Sequence, residues 1–193
     1  SQDTFLRVFR VLDPKQFETV FRRWVGGIVG ALDGVLAVDG KTLRRSADGD
    51  APPVHMVSAF STELGLVLGQ EKVAGKSNEI TAIPELLEAL HIKGLLVSID
   101  AMGCQREIAA RIVRAHWAIE NRLHWMLNVC FGEDDCMIRK DHAPQNLSLL
   151  KKIVLNLIRA DKTDTAKTSL RLKRKRAARD DDIRMKMLGN HPL

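Results

Sequence analysis

Apolar residues recur at helical spacing from the start of the chain. Phe5, Val8, Phe9 and Leu12 fall at i, i+3, i+4 and i+7, Pro14 punctuates, and Phe17, Val20, Phe21 and Trp24 resume the pattern. Two short amphipathic helices are expected. Gly26, Gly27 and Gly30 loosen the next stretch, and Gly34 precedes LAVD, a compact apolar run ending in Asp39. VHMVSAFS comes after the loop ADGDAPP, and GLVLGQEKV after the turn STELG, so three consecutive antiparallel strands are expected. SNEITAIPELLEAL opens on Ser77 as a candidate N-cap and reads as a helix broken or restarted near Pro84. LLVSID then reads as a fourth, buried strand ending in Asp100. From Gln105 to Asn128 there is no Pro or Gly, and Ile108, Ile112, Ala115 and Ile119 continue one apolar stripe. A single unbroken helix is expected there, with further helices to the end.

Composition narrows the class. With 193 residues, 45% of them hydrophobic, the chain can bury one proper core. No apolar run approaches the roughly 18 residues of a membrane span and no secretion signal opens the sequence, so a cytoplasmic location without membrane contact is expected. Three cysteines argue against a disulfide framework, and Cys130, Cys136 and His142 are too loosely spaced for a standard zinc site. The net charge of +6 matters mainly through its placement, because much of the excess collects in LRLKRKRAAR within residues 162–179. Lys173, Arg174, Lys175 and Arg176 are the candidate contacts to a polyanion, through phosphate charge rather than base sequence.

The acids carry the candidate chemistry. If the strands ending in Asp39 and Asp100 lie side by side, two carboxylates meet and either share a proton or hold a cation, for which hard oxygen ligands suit Mg²⁺ or Mn²⁺. Two such ions clamp the attacking and leaving oxygens of a phosphodiester. A third acid comes from HWAIENRLHW, where Glu120 lies midway between His116 and His124 and all three share a helix face, with Trp117 and Trp125 beside them. His116, Glu120 and His124 alone would span about 12 Å of helix axis, too far for one ion. Asp39, Asp100 and Glu120 keep the Asp, Asp, Glu order of the ribonuclease-H-like polynucleotidyl transferases.

Three blocks carry a more specific likeness: LAVDGKTLRRS, SIDAMGCQREIA and RAHWAIENRLHWMLNVCFGEDDCMIR. They resemble the signature blocks of the H-repeat-associated, DDE-type transposases of bacterial insertion sequences. DTFLRVFRVLDPKQFETVFRRWV resembles the family's amino-terminal helical region and PQNLSLLKKIVLNLIRADK its carboxy-terminal helix. The resemblance implies an α/β, ribonuclease-H-like core, with three antiparallel strands plus a fourth and flanking helices. It implies metal-dependent cleavage and transfer of double-stranded DNA by Asp39, Asp100 and Glu120, with Mg²⁺ or Mn²⁺, in a homodimer. Lys41, Arg44 and Arg45 would be phosphate-facing neighbours, and His116, Trp117, Asn121, His124 and Trp125 would support the site. The expected division is an N-terminal helical region at 1–33, a catalytic core at 34–130, and a C-terminal helix with a basic tail at 131–193.

The chain departs from the family pattern between 101 and 115. A further strand and a long insertion are expected between the second Asp and the Glu, yet only twenty positions separate Asp100 from Glu120. Asn128 stands where the family block has Asp. A continuous helix from Gln105 would carry Glu120 roughly 22 Å along its axis, out of reach of the aspartates unless it breaks near Arg114 to His116 or a second chain supplies the carboxylate. On that expectation HWAIENRLHW becomes packing surface over the edge of the fourth strand, its Trp rings supplying apolar area. The competing function is a non-catalytic DNA-binding or dimerising remnant that interferes with an intact enzyme.

Overall fold

The computed structural model describes residues 2–29, 34–73, 79–90, 95–99, 117–161, 164 and 168–189. Two helices open it, α1 (Gln2–Val11) and α2 (Pro14–Ile28), separated where the pattern placed the break. Asp13 caps α2 by accepting the Gln16 N–H at 2.8 Å, and Pro14, whose missing N–H would go unused in the first turn, starts it. The strands β1 (Val35–Thr42), β2 (His55–Ser61) and β3 (Leu66–Val73) form an antiparallel meander. Next come α3 (Glu79–Ala89) and β4 (Leu96–Ile99), which joins the free side of β1 in parallel. The sheet order is β3-β2-β1-β4. Three antiparallel strands plus a parallel fourth, flanked by helices, is the ribonuclease-H-like arrangement expected from the sequence.

After residue 117 one turn of π-helix (Glu120–His124) leads into α4 (Trp125–Phe131). Three helices complete the described residues: α5 (Ala143–Ala160), α6 (Leu170–Arg179) and α7 (Asp181–Gly189).

Helices cover both faces of the sheet, as alternation along β3 shows. A Cβ at Gly69 would press on Leu86 and Leu90 on the α3 side, while the next side chain, Gln70, meets Glu18 of α2 and Lys152 of α5. With both faces covered, every residue of β2 is buried. The main core joins Phe21 and Val25 of α2, the strands, Leu86, and Ile119, Leu123 and Leu127 to Leu149 and Leu155 of α5. The outer edge of β3 is closed by a side chain: Asn156 donates to the Val67 carbonyl at 2.7 Å and accepts its N–H at 2.9 Å, standing in for a missing strand.

Three expectations change. Asp39 does not close its strand, because Gly40, Lys41 and Thr42 stay paired with Val57, Met56 and His55 of β2. On the β4 side, though, the ladder stops at Val38↔Ile99, so Asp39 stands just past the end of that pairing. Pro84 sits inside α3 without dividing it. The helix is also not uniform α-helix through Asn128: in the π-turn the Trp125 N–H reaches the Glu120 carbonyl, one residue beyond α-helical spacing. Residues 101–116, and with them most of the expected long helix, lie outside the described residues.

Candidate active site

Asp39 points to the face opposite α3, since its neighbour Gly40 faces Glu79 and His55 so closely that a Cβ would clash with both. One oxygen of Asp39 accepts the Gly40 N–H at 2.8 Å, which fixes the carboxylate. The other lies 3.5 Å from Nδ1 of His124, and the same nitrogen is 3.8 Å from Oε1 of Glu120. Asp39, Glu120 and His124 each offer one ligand atom within 4.8 Å of the others. Asp39 and His124 are well buried, with side chains 13% and 7% exposed, while Glu120 is 51% exposed. The site is therefore a wall of fixed donors with one carboxylate at its open rim.

The structure thus brings Glu120 to Asp39, against the expectation that a long helix would carry it away. The cause is the packing of residues 117–131. Ile119, Leu123 and Leu127 are at most 1% exposed in the main core, which presents Glu120 and His124 to β1. Trp117 and Trp125 are turned out instead, 64% and 55% exposed, so they do not supply the apolar cover expected of them. Asn121 donates to the Trp117 carbonyl at 3.0 Å, within its own helix. Asp100 and His116 lie outside the described residues, so the expected Asp39 to Asp100 approach does too.

Lys41, two residues beyond Asp39 on the same strand face, reaches α4 rather than solvent. Its Nζ lies 2.9 Å from Asn128 Oδ1, 3.2 Å from Glu133 Oε2, 3.5 Å from Asp134 Oδ1 and 3.4 Å from the His124 carbonyl. Arg44 and Arg45 are exposed and near Asp134 and Asp135. The acids reach this position because Gly132 ends α4 in the left-handed region, φ 57°, and the chain folds back on itself. Asn128 also donates to Asp134 at 2.6 Å, so the amide at this family-variant position bridges lysine and acid.

Behind Lys41 a buried polar chain crosses the core. Glu133 accepts from Ser148, and Lys152 donates to Ser148 at 3.3 Å and to Gln70 at 2.5 Å. Gln70 and Gln145 both donate to Glu18. Burial lowers the Lys152 ammonium to about 8, with Glu133 and Glu18 opposing the shift, and burial raises Glu18. None of Glu18, Glu133, Ser148 or Lys152 stood out in the sequence, beyond the acidic cluster of the FGEDD block.

The basic helix α6 is two-sided. Lys173 is buried, its Nζ 3.5 Å from Asp161 Oδ2, and Arg174 stacks over the Phe131 ring at 5.4 Å. These two candidate DNA contacts are turned into the protein, and Arg176 lies 3.7 Å from Asp164. Arg171, Lys175 and Arg179 are exposed and recur every four residues, along one face.

Comparison with known proteins settles the family. Residues 30–113 match the family model of the transposase DDE domain. A protein named "Putative transposase YncI" from Escherichia coli O157:H7 is 30% identical over 292 positions, which take in 91% of this chain and 74% of the relative. The chain belongs to the H-repeat-associated DDE transposases. The "H repeat-associated putative transposase YhhI" of Escherichia coli K12 is 28% identical over 308 positions, covering 99% of this transposase and 81% of the relative. No solved structure matches. Because that alignment is far longer than 193 residues, well over a hundred of its positions have no counterpart here. The DDE-domain match itself stops at residue 113, shortly before the helix that carries Glu120. Membership of this family implies a DNA substrate and the use of a divalent metal, and the donor set of two carboxylates and an imidazole suits such an ion. Among the described residues no helix is long and apolar enough to cross a membrane.

Proposed function

We propose that this shortened transposase still cleaves insertion-sequence ends and transfers the strand, using Asp39, Asp100 and Glu120 around Mg²⁺ or Mn²⁺. The observation that carries the reading is the convergence of Glu120 and Asp39 despite the lost connection. Asp39 and Glu120 would hold the cation, joined by Asp100, which comes directly after the last paired residue of β4. A cation bound there would activate water or a DNA 3′-hydroxyl and stabilise the leaving oxygen. Lys41 would act inside the protein, tying α4 to β1 through Asn128 and Glu133 so that Glu120 keeps its place. Arg171, Lys175 and Arg179 would contact phosphates, with Arg44 and Arg45 at the rim of the site. Two protomers would be required to handle two ends, in the cytoplasm, where this DNA lies.

The test is nicking of a plasmid carrying the element's ends. The chain should nick it only with Mg²⁺ or Mn²⁺, and Asp39→Asn or Glu120→Gln should each cut the rate at least about a hundredfold, as loss of several kcal/mol of charge stabilisation requires. Circular dichroism should be unchanged in both. Salt-sensitive DNA binding without nicking in either metal would overturn the proposal and favour the non-catalytic remnant.

A further inference from the structure

We propose that His124 is itself a ligand of the divalent cation, through Nδ1, so that Asp39, Glu120 and His124 form the donor set on this side of the site. The inference rests on the reading that Asp39 and Glu120 hold a cation, and adds a nitrogen donor that the Asp, Asp, Glu order does not contain.

Spacing is the first argument. Nδ1 of His124 faces both carboxylates at once, 3.5 Å from Asp39 Oδ2 and 3.8 Å from Glu120 Oε1. Neighbouring donors on one octahedral ion with bonds of about 2.1 to 2.3 Å are about 3.0 to 3.3 Å apart, and opposite donors about 4.2 to 4.6 Å. The observed 3.5 and 3.8 Å lie between those two values, so small rotations of the Asp39 and Glu120 side chains would set all three atoms on one ion.

Backbone form and burial make the second argument. Two ligands at i and i+4 share one helix face, the spacing by which paired histidines grip zinc in metalloproteases. Here the pair spans the π-turn, a device found often at functional sites because it redirects side chains without ending the helix. His124 is buried and cannot swing far, and its own carbonyl faces Lys41, so its backbone is held to β1 through the same contacts that hold α4. A fixed ring loses little freedom when it binds metal. An imidazole donor also favours Mn²⁺ and later first-row ions over Mg²⁺ relative to an all-oxygen site.

The test uses Mn²⁺ on the whole chain, alone and with a duplex oligonucleotide, read by pulsed electron paramagnetic resonance. Nitrogen modulation from a directly bound imidazole should appear, should change character when histidine is ¹⁵N-labelled, and should vanish in His124→Gln. Mn²⁺ affinity should fall at least about tenfold in that variant, with Mg²⁺ affinity falling less. The labelling arm on the parent chain stands even if His124→Gln does not fold. Bound Mn²⁺ that depends on Asp39 but shows no nitrogen coupling would overturn the role of His124 and leave the cation site in place. Coupling that survives His124→Gln would assign the nitrogen to another histidine and overturn it equally. Failure to bind Mn²⁺ with or without DNA would remove the cation site and this inference together.

Discussion

Lys152 is a cation held in the core without a carboxylate in hydrogen-bond contact among the described residues. Fully buried, it reaches Gln70 and Ser148 through neutral oxygens, and desolvation brings its ammonium down from 10.5 to about 8. Between those values the unfolded chain keeps a proton that the folded chain has released, so stability should rise with pH across that window, by up to about 3 kcal/mol. The Cys130 thiol, raised by burial, works in the opposite direction, and the chain has no tyrosine to titrate alongside. Urea midpoints measured from pH 8 to 10 should therefore climb more steeply in the parent than in Lys152→Met. Equal slopes would show that Lys152 is not shifted. At this scale the sequence was informative about Asp39 and Glu120, because an acid after an apolar run and an acid between paired His-Trp dipeptides are visible in one dimension. It was silent on Glu133 and Lys152, whose meaning depends on a left-handed turn at Gly132 and on a β3 side chain more than eighty positions away.

Among the elements, the π-turn and α6 show what periodicity conveys and what it does not. Helical spacing placed His124 on the same face as Glu120 but could not reveal the i to i+5 hydrogen bond, since nothing in ENRLH breaks a helix. In α6 every basic residue looks alike in sequence, and the sorting into inward and outward positions comes from partners on other elements, Asp161 and Phe131. DNA binding should divide the same way. Replacing Arg171, Lys175 and Arg179 with Gln should weaken binding by a similar factor on all sequences and reduce the slope of log K against log salt by about 2.7, or 0.9 per phosphate. Lys173→Gln should instead lower thermal stability while leaving that slope nearly unchanged. The opposite pattern, a slope lost with Lys173 and kept without the other three, would place DNA on the wrong face.

For the molecule as a whole, the fold survives a large loss. The meander, a fourth strand and flanking helices were legible from turn residues, apolar runs and the resemblance, while the parallel pairing of β4 and the covering of both sheet faces came only with the structure. The placing of Glu120 against β1 was not legible either, because it depends on Ile119, Leu123 and Leu127 finding their burial against the sheet core, which helical periodicity does not specify. Hydrophobic docking of this helix presents the carboxylate. β1 likewise runs past Asp39 for a reason outside its own sequence, the antiparallel pairing of Gly40 to Thr42 with β2. The central claim is that the shortened chain still assembles a cation site from β1 and the helix beyond the missing segment. Its most direct measurement is anomalous diffraction from crystals of the chain soaked in Mn²⁺. A peak within about 2.0 to 2.3 Å of carboxylate oxygens of both Asp39 and Glu120 is the predicted result. An occupied site on Asp39 with Glu120 turned away, or no peak between them at saturating Mn²⁺, would contradict it.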